Sequence, residues 1–250
     1  MADDEYLDAV DYTRDDIDVE DFAETKFAVK LNDVSRSYKA GRMDIEALRN
    51  VSLEVKLGDF IVIAGHSGSG KTTLLNIIGA IDLSSSGRVY VMDVPINDYD
   101  EAFRSSFRLS NTGFIFQSYN LVSTLTAVEN VMFPMQLSDK SHSKLHDEAI
   151  MLLERVKMDH RADHLPWQLS SGEQQRVAIA RAMANDPPII LADEPTANLD
   201  GDSGQMVRDL LIELNEMGKA VIVMTHDEGI IKQSGIRRFT MNEGVLTENV

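Results

Sequence analysis

"FIVIAGHSGSGKTTLLNIIGA", residues 60–80, passes from a continuous apolar run through a glycine-rich turn into a pattern of helical apolar spacing. The turn, "GHSGSGKTT" at 65–73, matches G-x-x-x-x-G-K-[ST] in the strand-then-helix context that motif requires. Gly65, Gly68 and Gly70 permit backbone angles that turn successive N–H groups into one concavity, and the following helix adds its positive end. That combination suits a polyphosphate. Lys71 is placed to neutralise the β- and γ-phosphates, and the Thr72 hydroxyl to be one ligand of Mg²⁺. Thr73 and the side chains of His66, Ser67 and Ser69 are secondary members of the same cradle.

A second apolar run, "ILADEPTANLD" at 190–200, ends in two adjacent carboxylates, Asp193 and Glu194, and is stopped by Pro195. Read alone, the pair fits a solvated turn after a strand. Like charges this close in a partly dry site are unfavourable unless a cation neutralises them or one carboxylate moves a proton. With a phosphate-binding turn upstream, both conditions can be met: Asp193 supplies the cation with a further oxygen ligand, and Glu194 accepts a proton from an attacking water.

Composition limits the alternatives. The 250 residues are 43% hydrophobic and 26% charged, enough for one sizeable domain or two small lobes, with no cysteine for disulfides, thiolate sites or thiol nucleophiles. Runs such as "LLNIIGAI" and "AVIVM" fall short of the roughly 18 apolar residues that mark a membrane-spanning helix. The start has acids where a signal peptide has a basic region and an apolar core. A net charge of −17 disfavours nucleic acid as a partner. Residues 1–26 hold 11 acids and carry −9 of that charge, and the remaining 224 residues carry −8. This acidic extension reads as a flexible arm; the competing reading folds Tyr6, Leu7, Val10, Tyr12, Ile17, Val19 and Phe22 against the domain or a partner.

From residue 27 the pattern alternates. "FAVKLNDVSRSY" and "NVSLEVKLG" predict antiparallel strands, whereas "FIVIAG", "PIILAD" and "AVIVMTH" predict buried strands of a parallel sheet. Helices are predicted in "SKLHDEAIMLLERVKM", "EQQRVAIARAMAND" and "SGQMVRDLLIELNEMG", the last ending at a glycine. The expected architecture is α/β, residues 27–250 forming one domain interrupted between about 100 and 170 by a mainly helical segment.

Three further stretches add chemistry. "LSSGEQQRVAIARA" at 169–182 places Ser170, Ser171 and Gly172 at the start of a helix, a second N-terminus that a phosphate can meet. "ANLD" ends in Asp200, and "VIVMTHD" presents His226 at a strand end, where an imidazole can hydrogen-bond a γ-phosphate. The pairs His142/His146 and His160/His164 have helical i, i+4 spacing that could hold a metal, but lack a third nearby ligand to complete a site.

The order and spacing of these stretches over about residues 27–248 resemble the ATP-binding cassette family: "GHSGSGKT" is similar to its Walker A motif, Gln117 in "FIFQSYNL" to its Q-loop, "LSSGEQ" to its signature, "IILADE" to Walker B, "ANLD" to the D-loop and His226 to the switch histidine. The resemblance implies a P-loop NTPase fold with a RecA-like core, an antiparallel β-subdomain and a helical subdomain. It also implies ATP and Mg²⁺ as ligands, with the metal held by Thr72, Gln117 and Asp193. Catalysis would fall to Glu194, His226, Gln117 and Lys71, and Tyr38 in "VSRSYKAG" would stack on the adenine. Ser170, Ser171, Gly172, Glu173 and Asp200 would serve the nucleotide of a second copy in a head-to-tail homodimer that forms on ATP. Two departures stand out: one of the signature's two glycines is Ser171 here, and its usual glutamine is Glu173. Within the family, "HLPWQLSSGEQQRVAIARAMANDPPIILADEPTANLD" is similar to the subfamily serving lipoprotein-release and macrolide-export permeases with a large extracytoplasmic domain. That implies a peripheral ATPase on the cytoplasmic face of the membrane, its permease docked on the apolar segment after Gln117. The competing reading, a soluble cassette ATPase acting on DNA or ribosomes, expects a second cassette or a long coiled-coil insertion, and these 250 residues have neither.

Overall fold

The computed structural model describes residues 27–41, 43–138, 144–231 and 235–249. The acidic extension at 1–26 and His142 lie outside them. Two sheets organise the chain. The first is antiparallel, in the order β2 (Met43–Val55), β1 (Val29–Ala40), β4 (Ser86–Val91), β5 (Val94–Pro95). The second has six strands in the order β10 (Val245–Asn249), β9 (Arg237–Asn242), β3 (Phe60–Ala64), β8 (Ala220–Met224), β7 (Ile189–Asp193), β6 (Thr112–Ile115). All its pairings are parallel except the terminal hairpin of β9 with β10.

Central strands of a parallel sheet are covered on both faces, so they need continuous apolar sequence. All five residues of β8 are buried, as are the first four of β3 and β7. β2 instead alternates towards its end, burying Val51, Leu53 and Val55 and exposing the residues between.

Of the helices, α1 (Lys71–Ile78), α2 (Glu101–Asn111), α5 (Ser171–Ala182), α6 (Gly201–Glu216) and the short α7 (Glu228–Ile231) pack on the sheets, whereas α3 (Ala127–Gln136) and α4 (Leu145–Arg155) pack mainly on each other and on α5. α6 buries Val207, Leu210, Leu211 and Leu214, the i, i+3, i+4, i+7 stripe of a one-sided helix. It stops where Gly218 takes a left-handed φ of 87°. α1 packs Leu74, Leu75, Ile77 and Ile78 against β2, β4, β7 and β8. Truncating the fully buried Leu74 to alanine would cost about 2–5 kcal/mol. The stretch from about 100 to 170 is mainly helical, yet it includes β6, which pairs with β7 at the sheet edge. No helix among the described residues is long and apolar enough to cross a membrane.

This topology places the site. β8 lies between β3 and β7, with β6 beyond β7, and all four run the same way. Their C-terminal ends therefore open on one edge of the sheet, as in other open α/β folds. The segments leaving that edge are the glycine turn after Ala64, Gln117 after Ile115, the acid pair at Asp193 and His226 after Met224.

Candidate functional site

A cavity of about 640 Å³ opens on this edge, lined by the glycine turn, Lys71, Thr72, Thr73, Gln117, Asp193, Glu194 and His226, with Ala47 of β2 as its side wall. The turn is shaped by its neighbours. Gly70 holds a φ of 109°, and a Cβ there would meet the Ala47 carbonyl oxygen at 2.5 Å; a Cβ on Gly65 would meet the Met241 carbonyl oxygen at 2.4 Å. Both positions exclude any larger residue. The Ser69 carbonyl accepts a bond from the Gly244 N–H at 2.9 Å, so the β9–β10 hairpin holds the turn from behind.

Four helices begin with a side chain that accepts a bond from their first turn: Asp100 for α2, Thr126 for α3, Ser170 for α5 and Asp200 for α6. α1 begins at Gly70 with no side-chain cap and no acid in its first turn. Its N-terminal N–H groups and the positive end of its dipole thus face the cavity without a competing oxygen, which is what an anion requires. Lys71 is buried, its Nζ donating to the carbonyls of Gly65 at 2.7 Å and His66 at 3.0 Å. Carbonyls are neutral partners, so the cationic charge is available to a phosphate.

Across the cavity, Thr72 Oγ1 donates to Asp193 Oδ2 at 2.9 Å. Burial pushes the Asp193 carboxyl above its usual range, as does the charge of Glu194, against the lowering effect of Thr72 and Lys71. A hard dication between the Thr72 hydroxyl and Asp193 would reverse that balance, so this donor set fits Mg²⁺. Gln117 lines the same cavity.

Glu194 is held in a strained backbone conformation, φ 47°, by its N–H bond to the Met224 carbonyl at 2.8 Å. Its carboxylate lies 3.0 Å from His226 Nδ1 and accepts the His226 backbone N–H at 3.4 Å. The carboxylate thus lines the cavity with Asp193 and pairs with the imidazole of His226.

The family model described as "ABC transporter" matches residues 48–197. The chain is 46% identical over 209 residues to an uncharacterised ABC transporter ATP-binding protein of Methanocaldococcus jannaschii, MJ0796, an alignment covering 82% of this chain and 89% of that one. The chain belongs to the ABC transporter family. This cassette is also 40% identical over 210 residues to the lipoprotein-releasing system ATP-binding protein LolD of Idiomarina loihiensis, covering 84% of its own length and 92% of the relative's. Among solved structures it matches the dimeric post-hydrolysis state of the cassette MJ0796 bound to ADP and Pi, at a TM-score of 0.83 and 44% identity over 88% of this chain and 97% of that one. The protein is an ABC ATPase, with the P-loop NTPase fold of that family.

The structure leaves the remaining sequence-predicted residues of the cassette outside the cavity. Ser170 and Glu173 form a capping box on α5: the Ser170 hydroxyl accepts from the Glu173 N–H at 3.3 Å, and the Glu173 carboxylate accepts from the Ser170 N–H at 2.8 Å. That bond from the Ser170 backbone holds the Glu173 carboxyl below its ordinary value. Gly172 has an intrachain reason to be glycine, because a Cβ would meet Ser203 Oγ at 2.4 Å where α5 crosses the start of α6. Ser171 is exposed, and Asp200 caps α6 by accepting the Ser203 N–H at 2.8 Å. Ser69 lies inside the turn with its hydroxyl buried and unpartnered. Tyr38 does not line the cavity either; it stands opposite Ile45 on the β1–β2 hairpin, two residues from Ala47. Among the described residues no three His, Cys, Asp or Glu side chains cluster as a metal site would require.

Two groups around the site escaped sequence reading. Asp227, beside His226, accepts from Thr196 Oγ1 at 2.7 Å and Arg208 Nη1 at 2.9 Å, tying the histidine's loop to the segment after the acid pair and to α6. Gln175 is buried and donates to the Pro195 carbonyl at 2.8 Å, joining α5 to that same segment. Their only sequence signal is adjacency to the motifs.

Proposed function

We propose that this ATPase drives a membrane permease, dimerising head to tail on ATP and hydrolysing it at two shared sites. The observation that carries the reading is the single cavity in which an uncapped helix and Lys71 face the Asp193–Glu194 pair. On binding, the α1 N–H groups and Lys71 hold the β- and γ-phosphates, and Lys71 exchanges its two carbonyl partners for phosphate oxygens. Thr72, Asp193 and Gln117 would hold Mg²⁺, which supplies charge neutralisation at the phosphates. Glu194 accepts a proton from the water that attacks the γ-phosphorus; His226 orients Glu194 and donates to the γ-phosphate. Tyr38 provides the base with an aromatic face.

One chain leaves the far side of the triphosphate open. The α5 N-terminus with Ser170, Ser171, Gly172 and Glu173, together with Asp200, lies outside the cavity and serves the nucleotide of a second copy. The dimeric state described for the MJ0796 cassette supports this.

The permease seat is a groove of about 220 Å³ where β6, the end of α3 and the end of α5 meet, lined in part by Phe116, Phe133, Pro134 and Leu137. Phe133 and Leu137 are exposed, 44% and 62%, at its rim. The sequence motifs imply a place for this ATPase on the cytoplasmic face of the membrane with a permease that carries a large extracytoplasmic domain, and likeness to the lipoprotein-releasing system ATP-binding protein LolD supports a transport role. Residues 1–26 are an extension to a cassette spanning 27–250, whose segment from about 100 to 170 forms the helical subdomain. The test is phosphate release by the purified full chain, alone and with its co-expressed permease in lipid. ATP-dependent dimers and Mg²⁺-dependent release are expected; a chain that stays monomeric and inactive with the permease present refutes the reading.

A further inference from the structure

The carboxylate of Asp82, just beyond α1, is surrounded by four donors. Arg36 Nη2 reaches Oδ1 at 2.7 Å and Arg36 Nε reaches Oδ2 at 3.1 Å; Tyr38 OH donates to Oδ2 at 2.6 Å and the Leu83 N–H to Oδ1 at 2.8 Å. Asp82 is only part-exposed, its side chain at 23%, as is that of Arg36, so the pair is neither fully desolvated nor a free surface bridge. This bidentate pair fixes the guanidinium plane. The result is a stack: the Arg36 guanidinium carbon sits 4.6 Å from the Tyr38 ring centroid. One face of the ring is thereby covered by a cation, while the residue keeps 37% of its surface in solvent.

Two more observations connect the stack to the cavity. Tyr38 pairs with Ile45, on the strand that reaches the cavity wall at Ala47. Asp82 itself is anchored to α1, because its N–H and that of Ile81 both donate to the Asn76 carbonyl, at 3.1 and 2.8 Å. One short helix therefore carries the phosphate cradle at its first residue and, beyond its last turn, the acid that fixes the aromatic ring. With about 1.5 Å of rise per residue, it sets the spacing between the two as a rigid spacer.

We propose that Asp82 is a positioning residue for nucleobase binding: it clamps Arg36 and Tyr38 into a stacked pair whose uncovered face receives the base. The inference rests on the reading of Tyr38 as the base platform. A cation behind the ring and a fixed hydroxyl remove the rotamer freedom that stacking would otherwise have to freeze. Specificity for a nucleotide over a bare phosphate chain then depends on Asp82, which touches neither.

The test compares equilibrium binding of ATP and of inorganic tripolyphosphate by the full-length protein with Asp82→Asn, Tyr38→Ala and both changes together. Asp82→Asn is expected to weaken ATP about three- to tenfold and tripolyphosphate by less than about twofold, the range of an aromatic contact. In the Tyr38→Ala background the same change should do nothing further. If Asp82→Asn weakens both ligands equally, or leaves ATP unaffected while Tyr38→Ala weakens it, the clamp is wrong. If Tyr38→Ala itself leaves ATP affinity unchanged, the platform reading fails, and the clamp with it. Should Asp82→Asn not fold, Arg36→Gln removes the cation behind the ring and is held to the same outcomes.

Discussion

Replacing Glu194 by glutamine separates the chemistry of the site from its architecture. The side chain is 14% exposed, and glutamine keeps its volume and an oxygen for the His226 backbone N–H at 3.4 Å. Folding stability should change by less than about 1–2 kcal/mol, the range of one altered hydrogen bond. What is lost is the ability to take a proton, worth about 10²–10⁴ in rate, or roughly 3–5.5 kcal/mol of barrier. The change also removes a negative charge beside the phosphate site. At an effective dielectric of about 20 and a separation of about 8 Å, one charge pair amounts to about 2 kcal/mol. ATP should therefore bind up to about 30-fold more tightly, and the Asp193 carboxyl, which the charge of Glu194 helps to raise, should titrate lower. Single-turnover phosphate release measures the first effect, equilibrium nucleotide binding the second. Release within about fivefold of the parent would refute the assignment of Glu194 as the base, and ATP binding that weakens would refute the charge argument.

Three further outcomes are expected. Lys71→Met should weaken ATP about 10- to 100-fold, the worth of a charge-assisted bond, while the empty protein melts within a few degrees of the parent, because its two carbonyl bonds offset a buried charge; binding and melting curves check both. At Asp227, burial alone would raise the carboxyl, but bonds from Thr196, the Gly229 N–H and Arg208 overcome it and hold the group low. It therefore contributes stability above about pH 4 that is lost as pH falls through its depressed value; Asp227→Asn should cost about 1–3 kcal/mol at pH 7 and lessen the acid-induced loss, read from urea unfolding between pH 2 and 7. Serine at both Phe133 and Leu137 should abolish co-purification with the permease while leaving the ATP-induced rise in melting temperature intact, as both sit at the rim of a groove away from the cavity.

The sequence declares strongly those parts of the fold in which one segment decides its own environment. β3, β7 and β8 are continuous apolar runs because both faces of their sheet are covered, and α6 shows its buried stripe directly. β6 was hidden inside a helical stretch: four residues, Thr112–Ile115, give no periodicity, and their strand character comes from pairing with β7. β9 and β10 were equally silent, although they hold the glycine turn through Gly244. At the site, Lys71, Thr72, Asp193, Glu194 and His226 were legible because each sits at a strand end or turn whose chemistry has few other uses. Asp82, Asp227 and Gln175 were not. Their partners are 46, 31 and 20 residues away, and only the folded topology brings those together.

The bare start of α1 has a consequence for the life of the molecule. A serine or aspartate cap is worth about 1 kcal/mol over alanine to an ordinary helix, but the left-handed φ of Gly70 and the nearby Ala47 carbonyl shut one out here. The chain forgoes this and lets its fuel serve as the missing cap; at a hundredfold excess over its dissociation constant, such a ligand adds about 2.7 kcal/mol. Resistance to proteolysis should thus rise with nucleotide occupancy, the empty chain being cut sooner than the filled one.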